Sequence, residues 1–277
     1  MSSEAGARKS RRSVRHFLEM KRDGERIVAM TAYDVPFAAI LEEAGVDLIL
    51  VGDSLGQVVL GYESTLPVTL DEMIHHASAV RRGAPDTFVV LDMPFLTYQV
   101  SPDEAVRNAG RVMKEAGVQA VKIEGGDLRA CEVVKRLVGA GIPVMGHIGL
   151  TPQSVHALGG YRVQGRGQED AARIRREARS LEEAGAFAMV LELVPSDLAA
   201  EISVSLTVPT IGIGAGAGCD GQVLVLYDAL GLNAGFEPRF LKRFADLRGA
   251  ALDGVRAYAQ EVREGTYPGP EHSFESS

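Results

Sequence analysis

Tryptophan is absent from this chain, cysteine occurs twice, and aromatic residues make up only 6% of its 277 positions. Cys131 and Cys219 are too few for a disulfide framework or a thiolate zinc site, and as small buried groups they suit a reducing cytoplasm. No apolar run approaches the roughly 20 residues that span a bilayer, and the N-terminus lacks the apolar core of a secretory signal. Positive charge is in deficit as well. With 29 Lys and Arg against 37 Asp and Glu, the net charge of -8 gives no electrostatic basis for binding nucleic acid. With membrane and nucleic acid set aside, a small molecule is the expected partner.

What is present is 46% apolar content and 31 glycines, as in a folded chain rich in tight turns. No linker composition interrupts it, so one domain is expected over residues 13–267, between flexible tails at 1–12 and 268–277. The basic "ARKSRR" in the first tail is read as a frayed soluble end in preference to a transit peptide.

Three segments repeat a pattern: "LEEAGVDLILVGD" from Leu41, "MKEAGVQAVKIEG" from Met113 and "LEEAGAFAMVLEL" from Leu181. In each, a glycine (Gly45, Gly117, Gly185) stands where a helix gives way to an apolar strand, the usual left-handed helix stop. Further strands are expected near residues 27, 88, 142 and 208, with a weaker eighth near 222. "TLDE" from Thr69 and "SPDE" from Ser101 read as capping boxes that start helices. Near-continuous apolar strands alternating with helices imply a parallel sheet covered by helices. Eight such units fit a (β/α)8 TIM barrel better than an open doubly wound sheet, because "GIGAGAG" at 212–218 misses the G-x-G-x-x-G dinucleotide spacing. "RRSVRHFLEMKRDG" reads as an extra N-terminal helix that plugs the barrel's N-terminal mouth.

Chemistry in such a barrel gathers at the C-terminal strand ends. There the sequence places Asp53 and Ser54, Asp92, Lys122 and Glu124, His147, and Glu192. Within "AVKIEGG", Lys122 and Glu124 are two apart and so share one face of a strand. A single strand-end acid is as readily a helix N-cap, but a converging ring of acids requires compensating cations, and Lys122 supplies only one. Oxygen ligands with few histidines nearby favour Mg2+, with Asp53 and Asp92 as direct ligands and Glu124 reaching it through water. A cation with open positions beside a lysine suits a 2-oxo acid. The metal stabilises the enolate, Lys122 pairs with the carboxylate, and Glu192 removes the proton. Glu192, among Leu191, Leu193 and Val194, is expected to be the least solvated of the acids, which would raise its pKa toward neutrality. His147 is open between a structural role and a substrate donor or proton shuttle. His75 and His76 are expected to face solvent or an interface. Gly125 and Gly126 are expected to leave room for the ligand, and the run at 212–218 is open between an anion cradle and close packing.

The segments "TAYD", "LVGDSLG", "STLPVT", "VRRGAP", "VKIEGG", "GHIGLTPQS", "GGYRVQGRG", "IGIGAG", "DGQVLVLYD" and "YPGPEHSF" together resemble the ketopantoate hydroxymethyltransferase family, from about residue 12 to the C-terminal "EHSF". The resemblance implies a (β/α)8 barrel that transfers a one-carbon unit from 5,10-methylenetetrahydrofolate to 3-methyl-2-oxobutanoate, giving 2-dehydropantoate for pantothenate synthesis. It further implies magnesium held at Asp53 and Asp92 and completed by Glu124, oxo-acid contacts from Ser54 and Lys122, Glu192 as proton acceptor, and a homo-oligomer, commonly a decamer. The chain departs from the family pattern before residue 12 and in the loop "GAGAGCDG", away from these positions. The rival readings are a metal-dependent C–C lyase of the phosphoenolpyruvate mutase or isocitrate lyase type, a Schiff-base aldolase using Lys122, and a non-catalytic scaffold.

Overall fold

The structure, a computed structural model, describes residues 12–235 and 237–274. The first eleven residues and the last three, parts of the segments read as tails, lie outside the described residues. The chain forms two compact units, one ending at Val225 and the other beginning at Leu226.

The first unit opens with α1 (Val14–Asp23), β1 (Ile27–Thr31), α2 (Val35–Glu43), β2 (Leu48–Val51), α3 (Leu55–Val58) and α4 (Leu70–Gly83). It continues with β3 (Phe88–Asp92), α5 (Pro102–Ala116), β4 (Ala120–Glu124), α6 (Leu128–Gly139), β5 (Val144–Gly149) and α7 (Val155–Leu158). It ends with α8 (Gln168–Glu183), β6 (Ala188–Glu192), α9 (Ser196–Ser205), β7 (Thr210–Ile213) and β8 (Gly221–Leu224). The eight strands pair in sequence order, all parallel, and β8 returns to β1 to close the barrel. This is the expected (β/α)8 architecture with one departure. Residues 214–220, between β7 and β8, contain no helix, because seven residues are too few to descend the barrel as a helix and climb back.

Local chemistry sets the element ends. Gly45, Gly117 and Gly185 all have positive φ, the left-handed stop expected of the repeat. Thr69 makes a complete capping box with Glu72, whereas Ser101 makes only the serine half, accepting from the Glu104 N–H. The buried residues of α5, Ala105, Ala109, Val112 and Ala116, recur at helical spacing and turn one face to the sheet.

All eight strands contribute to one apolar cluster that includes Ala29, Leu50, Val90, Ala120, Met145 and Val190. Side chains from eight staves can meet only inside the barrel, so these positions mark its inward face. Two residues further along β3, β4, β5 and β6, the same face carries Asp92, Lys122, His147 and Glu192. The interior is thus apolar toward the strand starts and ionisable toward the strand ends. α1 seals the apolar end: Phe17 lies 5.0 Å from Phe88 and 6.3 Å from Phe187, ring to ring, and both Phe17 and Met20 join the cluster. The expected N-terminal plug is present.

The second unit holds α10 (Leu226–Ala229) and α11 (Leu247–Glu264). Asp246 caps α11 by accepting from the Gly249 N–H, and Gly265 ends it in the left-handed conformation. Among the described residues, no helix is long and apolar enough to cross a membrane.

Candidate active site

Lys122 and Glu124 point into the barrel together, 4% and 7% exposed. Lys122 pairs in register with Asp92, and its Nζ lies 3.2 Å from Asp92 Oδ1 and 2.9 Å from His147 Nδ1. Glu124 lies in register with His147, with Oε1 3.5 Å from Nδ1. The other ring nitrogen, Nε2, is 3.2 Å from Glu192 Oε2. Asp92, Lys122, His147 and Glu192 thus form a continuous chain across four neighbouring strands. An ammonium can only donate, so in the neutral ring Nδ1 accepts from Lys122 and the Nε2 proton faces Glu192. Burial and Lys122 oppose a charge on His147, but Glu124 and Glu192 together raise its pKa.

Asp53 follows β2 and is 4% exposed. Its backbone N–H donates to Asp92 Oδ2 at 3.2 Å, and its own Oδ2 accepts from Gln153 Nε2 at 2.9 Å. Ser54, next in sequence, places its hydroxyl 2.9 Å from that of Tyr33. The structure therefore brings Asp53, Ser54, Asp92, Lys122, Glu124, His147 and Glu192 to one end of the barrel.

Negative charge exceeds positive in this ring. Burial, then Asp92 and Glu124, push the Asp53 pKa up to about 8. Burial also raises Asp92, against the pull of Lys122. For Glu124 the burial penalty is overcome by His147, Lys122 and the Gln153 N–H, and its pKa falls. Burial disfavours the Lys122 ammonium, but Asp92, Glu124 and Asp53 more than offset it and hold the lysine protonated.

Whether these residues suit a cation can be judged from their free oxygens. Among the described residues, no three acidic, histidine or cysteine side chains form a ready-made metal cluster. Glu124 is engaged elsewhere: its Oε2 accepts from the Gln153 N–H at 3.0 Å and its Oε1 faces His147. Asp53 and Asp92 remain as donors: Asp92 Oδ1 is buried, and its close neighbour is the Lys122 ammonium at 3.2 Å, an ion pair without good hydrogen-bond geometry. Two carboxylates in an acid-rich pocket match the way magnesium is held, with its other positions left to water and substrate.

Several expectations need correction. Glu192 is the most solvated of the inward acids measured with their ion pairs, its side chain 18% exposed against 6% for Asp92 and 4% for Glu124. It is the last residue of β6, where the chain turns away at Leu193 (φ 47°), and Leu191 and Val194 are buried without enclosing the carboxylate. A Cβ on Gly126 would sit 2.5 Å from the Glu177 Cβ, so this glycine admits α8 and does not make room for a ligand. Likewise, Cβ atoms on Gly216 and Gly218 would lie 2.5 Å from Ser196 and Ala200 of α9, which favours close packing over an anion cradle. His75 is exposed, but His76 is half-buried with Nδ1 2.7 Å from the Tyr33 carbonyl oxygen.

Three residues escaped the sequence reading: Gln153, Tyr98 and Tyr33. Tyr33 and Gln153 lie within quoted segments and Tyr98 six residues past β3, but an uncharged side chain gives no sign in the sequence that it is buried among carboxylates. A cleft of about 810 Å³ lies nearby between α8 and α9, lined by Gly165, Arg166, Arg175, Ser196 and Glu201 among others, and none of the ring residues borders it. Volume alone does not mark the chemistry; the buried ring does.

A model of the family "Ketopantoate hydroxymethyltransferase" matches residues 11–270. The 3-methyl-2-oxobutanoate hydroxymethyltransferase of Syntrophotalea carbinolica is 55% identical over 264 residues, covering 95% of this chain and 98% of the relative. That of Leptospira interrogans is 54% identical, covering 93% and 97%. Among solved structures, a phosphonopyruvate hydrolase complexed with oxalate and Mg++ superimposes with a TM-score of 0.61 at 14% identity, covering 96% of this chain and 92% of the other. A 2,3-dimethylmalate lyase of the PEP mutase/isocitrate lyase superfamily gives 0.58 at 21%, covering 93% and 85%. These last two share the fold. The chain belongs to the ketopantoate hydroxymethyltransferase family and is an enzyme of the transferase class.

Proposed function

We propose that this chain transfers a hydroxymethyl group from 5,10-methylenetetrahydrofolate to 3-methyl-2-oxobutanoate, forming 2-dehydropantoate. The observation that carries the reading is the joint placement of Asp53, Asp92 and Lys122 at one end of the barrel, with Glu192 reached through His147. Asp53 and Asp92 would hold Mg2+, with Glu124 in support. When bound, the cation draws electron density from the keto and carboxylate oxygens of the 2-oxo acid, which makes the C3–H more acidic. Lys122 pairs with the substrate carboxylate, and the Ser54 hydroxyl, oriented by Tyr33, donates to the same acid. Glu192 takes the C3 proton. Its partial exposure leaves room at the mouth for the folate, and His147 Nε2 lies 3.2 Å from its Oε2 without a well-formed hydrogen bond. Water takes the place of the two folate nitrogens on the methylene carbon: both C–N bonds break, the two water protons pass to those nitrogens, and tetrahydrofolate leaves. C3 bonds to the one-carbon unit so released, at the formaldehyde level, whose oxygen becomes the new hydroxyl and takes back the proton that Glu192 removed.

A protonated Lys122 argues against Schiff-base chemistry, which needs the free amine. The lyase reading draws on the shared fold, in which a phosphonopyruvate hydrolase was solved with oxalate and Mg++. That also supports a cation in a barrel of this kind. Against a lyase, Cys131 points to the Gly126 carbonyl and Cys219 is buried beside Ser203 and Thr210, so neither is placed as an acid over the ring. A cytoplasmic homo-oligomer completes the proposal; assembly is supported by Leu252, Val255, Tyr258 and Val262, exposed apolar residues along α11.

Deuterium exchange at C3 of 3-methyl-2-oxobutanoate, without folate, tests the first step. Exchange should require magnesium and vanish in Glu192→Gln, while calorimetry shows metal and oxo-acid binding nearly intact. Wild-type exchange in that variant would remove Glu192 from the role of base.

A further inference from the structure

Gln153 sits on the short turn after β5 and is 5% exposed, with no charge to compensate and no obvious reason to be buried among acids. Its amide can make four hydrogen bonds, and all four are present. Nε2 donates to Asp53 Oδ2 and to the Met93 carbonyl, both at 2.9 Å. Oε1 accepts from the Tyr98 hydroxyl at 2.8 Å and from Gln99 Nε2 at 3.1 Å. This arrangement fixes the amide orientation, since a flip would set its oxygen against a carboxylate and a carbonyl. The backbone N–H of the same residue donates to Glu124 Oε2 at 3.0 Å. One residue therefore holds two carboxylates that arise from different strands, Asp53 after β2 and Glu124 at the end of β4.

From this geometry we infer that Gln153 is a positioning residue for the cation site: it fixes the Asp53 carboxylate toward the pocket and keeps Glu124 from binding the cation directly. The inference rests on the magnesium reading above. The residue type suits the task. A lysine or arginine here would neutralise Asp53 and compete with the cation, and an acid would repel it. A neutral donor stabilises the ionised carboxylate while leaving its charge for the metal. Tyr98 supports the arrangement from behind: its hydroxyl donates to Gln153 Oε1 and accepts from the Glu124 N–H at 3.0 Å. Hydrogen bonds of this kind to metal ligands typically control affinity by about 10- to 100-fold.

The test is titration of the metal-stripped protein with MgCl2 by calorimetry, without substrate. Gln153→Met keeps the length of the side chain and removes both donors. Its magnesium Kd should rise by roughly 10-fold or more, and its turnover should recover toward wild type as magnesium is raised to saturation. A defect of packing alone would not be rescued by metal. Tyr98→Phe, which leaves both Nε2 contacts in place, should shift the Kd in the same direction by a smaller factor, and it serves if Gln153→Met does not fold. A folded variant with a Kd within twofold of wild type would overturn the role of Gln153. A wild-type protein that binds no magnesium would overturn the cation reading itself, a distinct result.

Discussion

Ionising Asp53 inside the barrel is costly, and the consequence can be measured. Its folded-state pKa of about 8 lies above the unfolded value of roughly 3.9. The folded, metal-free protein therefore holds a proton at Asp53 that the unfolded chain releases. The stability contributed by that proton is complete below about pH 4 and is lost as pH rises toward about 8. Other ring groups shift in both directions, so the useful quantity is a difference between two proteins. With metal removed, Asp53→Asn should exceed the wild type in unfolding temperature by a margin that is small near pH 5 and grows toward pH 9. With magnesium added, only the wild type should gain, more so at the higher pH, where protons no longer compete for the carboxylate. Parallel curves for the two proteins would show that Asp53 is not the strained acid. The same physics explains what could be read without coordinates. Asp92, Lys122, Glu124, His147 and Glu192 interrupt apolar strands, and a charge in such a position needs a reason. Gln153 and Tyr98 left no such trace, and the exposure of Glu192 depends on the turn at Leu193, which no local pattern announces.

Among the elements, α1 makes the clearest separable contribution, because it closes the end of the barrel opposite the ring. Phe17 is 1% exposed and packs on Phe88 and Phe187, so Phe17→Ala should leave a cavity and cost about 3–5 kcal/mol. Urea unfolding would register this as a lower midpoint. C3 exchange by the folded fraction should remain near wild type, since no ring residue touches the plug. Loss of exchange in protein that is still folded would mean that the two ends of the barrel are coupled. The helix–glycine–strand repeat was legible because helix stops and apolar strands are set by local chemistry. The missing helix between β7 and β8 was not, because the expectation of strict alternation ignored how short that segment is. The glycines at 126, 216 and 218 show a related limit. A glycine can mark a place where another element comes close, and only the fold reveals which element it is.

At the scale of the whole molecule, the open question is what α11 packs against. None of its 18 residues is buried, yet Leu252, Val255, Tyr258 and Val262 are spaced along one face and are 41%, 65%, 58% and 46% exposed. An isolated helix of this length is only marginally stable in water, and two of its residues, Gly249 and Gly254, lower its propensity further. Such a stripe needs a partner surface. We propose a second copy of this chain as that surface, in keeping with the homo-oligomer proposed above. The double variant Val255→Glu/Tyr258→Glu places two like charges on the stripe and touches no ring residue. Light scattering on a sizing column should show the wild type as an assembly and this variant as smaller species, with far-UV circular dichroism of the barrel preserved. The metal-dependent exchange reaction should persist in the dissociated protein, because the ring is built entirely from strands of one barrel. An unchanged assembly would mean that α11 is not the contact; a smaller species that no longer catalyses exchange would mean that assembly supports the site.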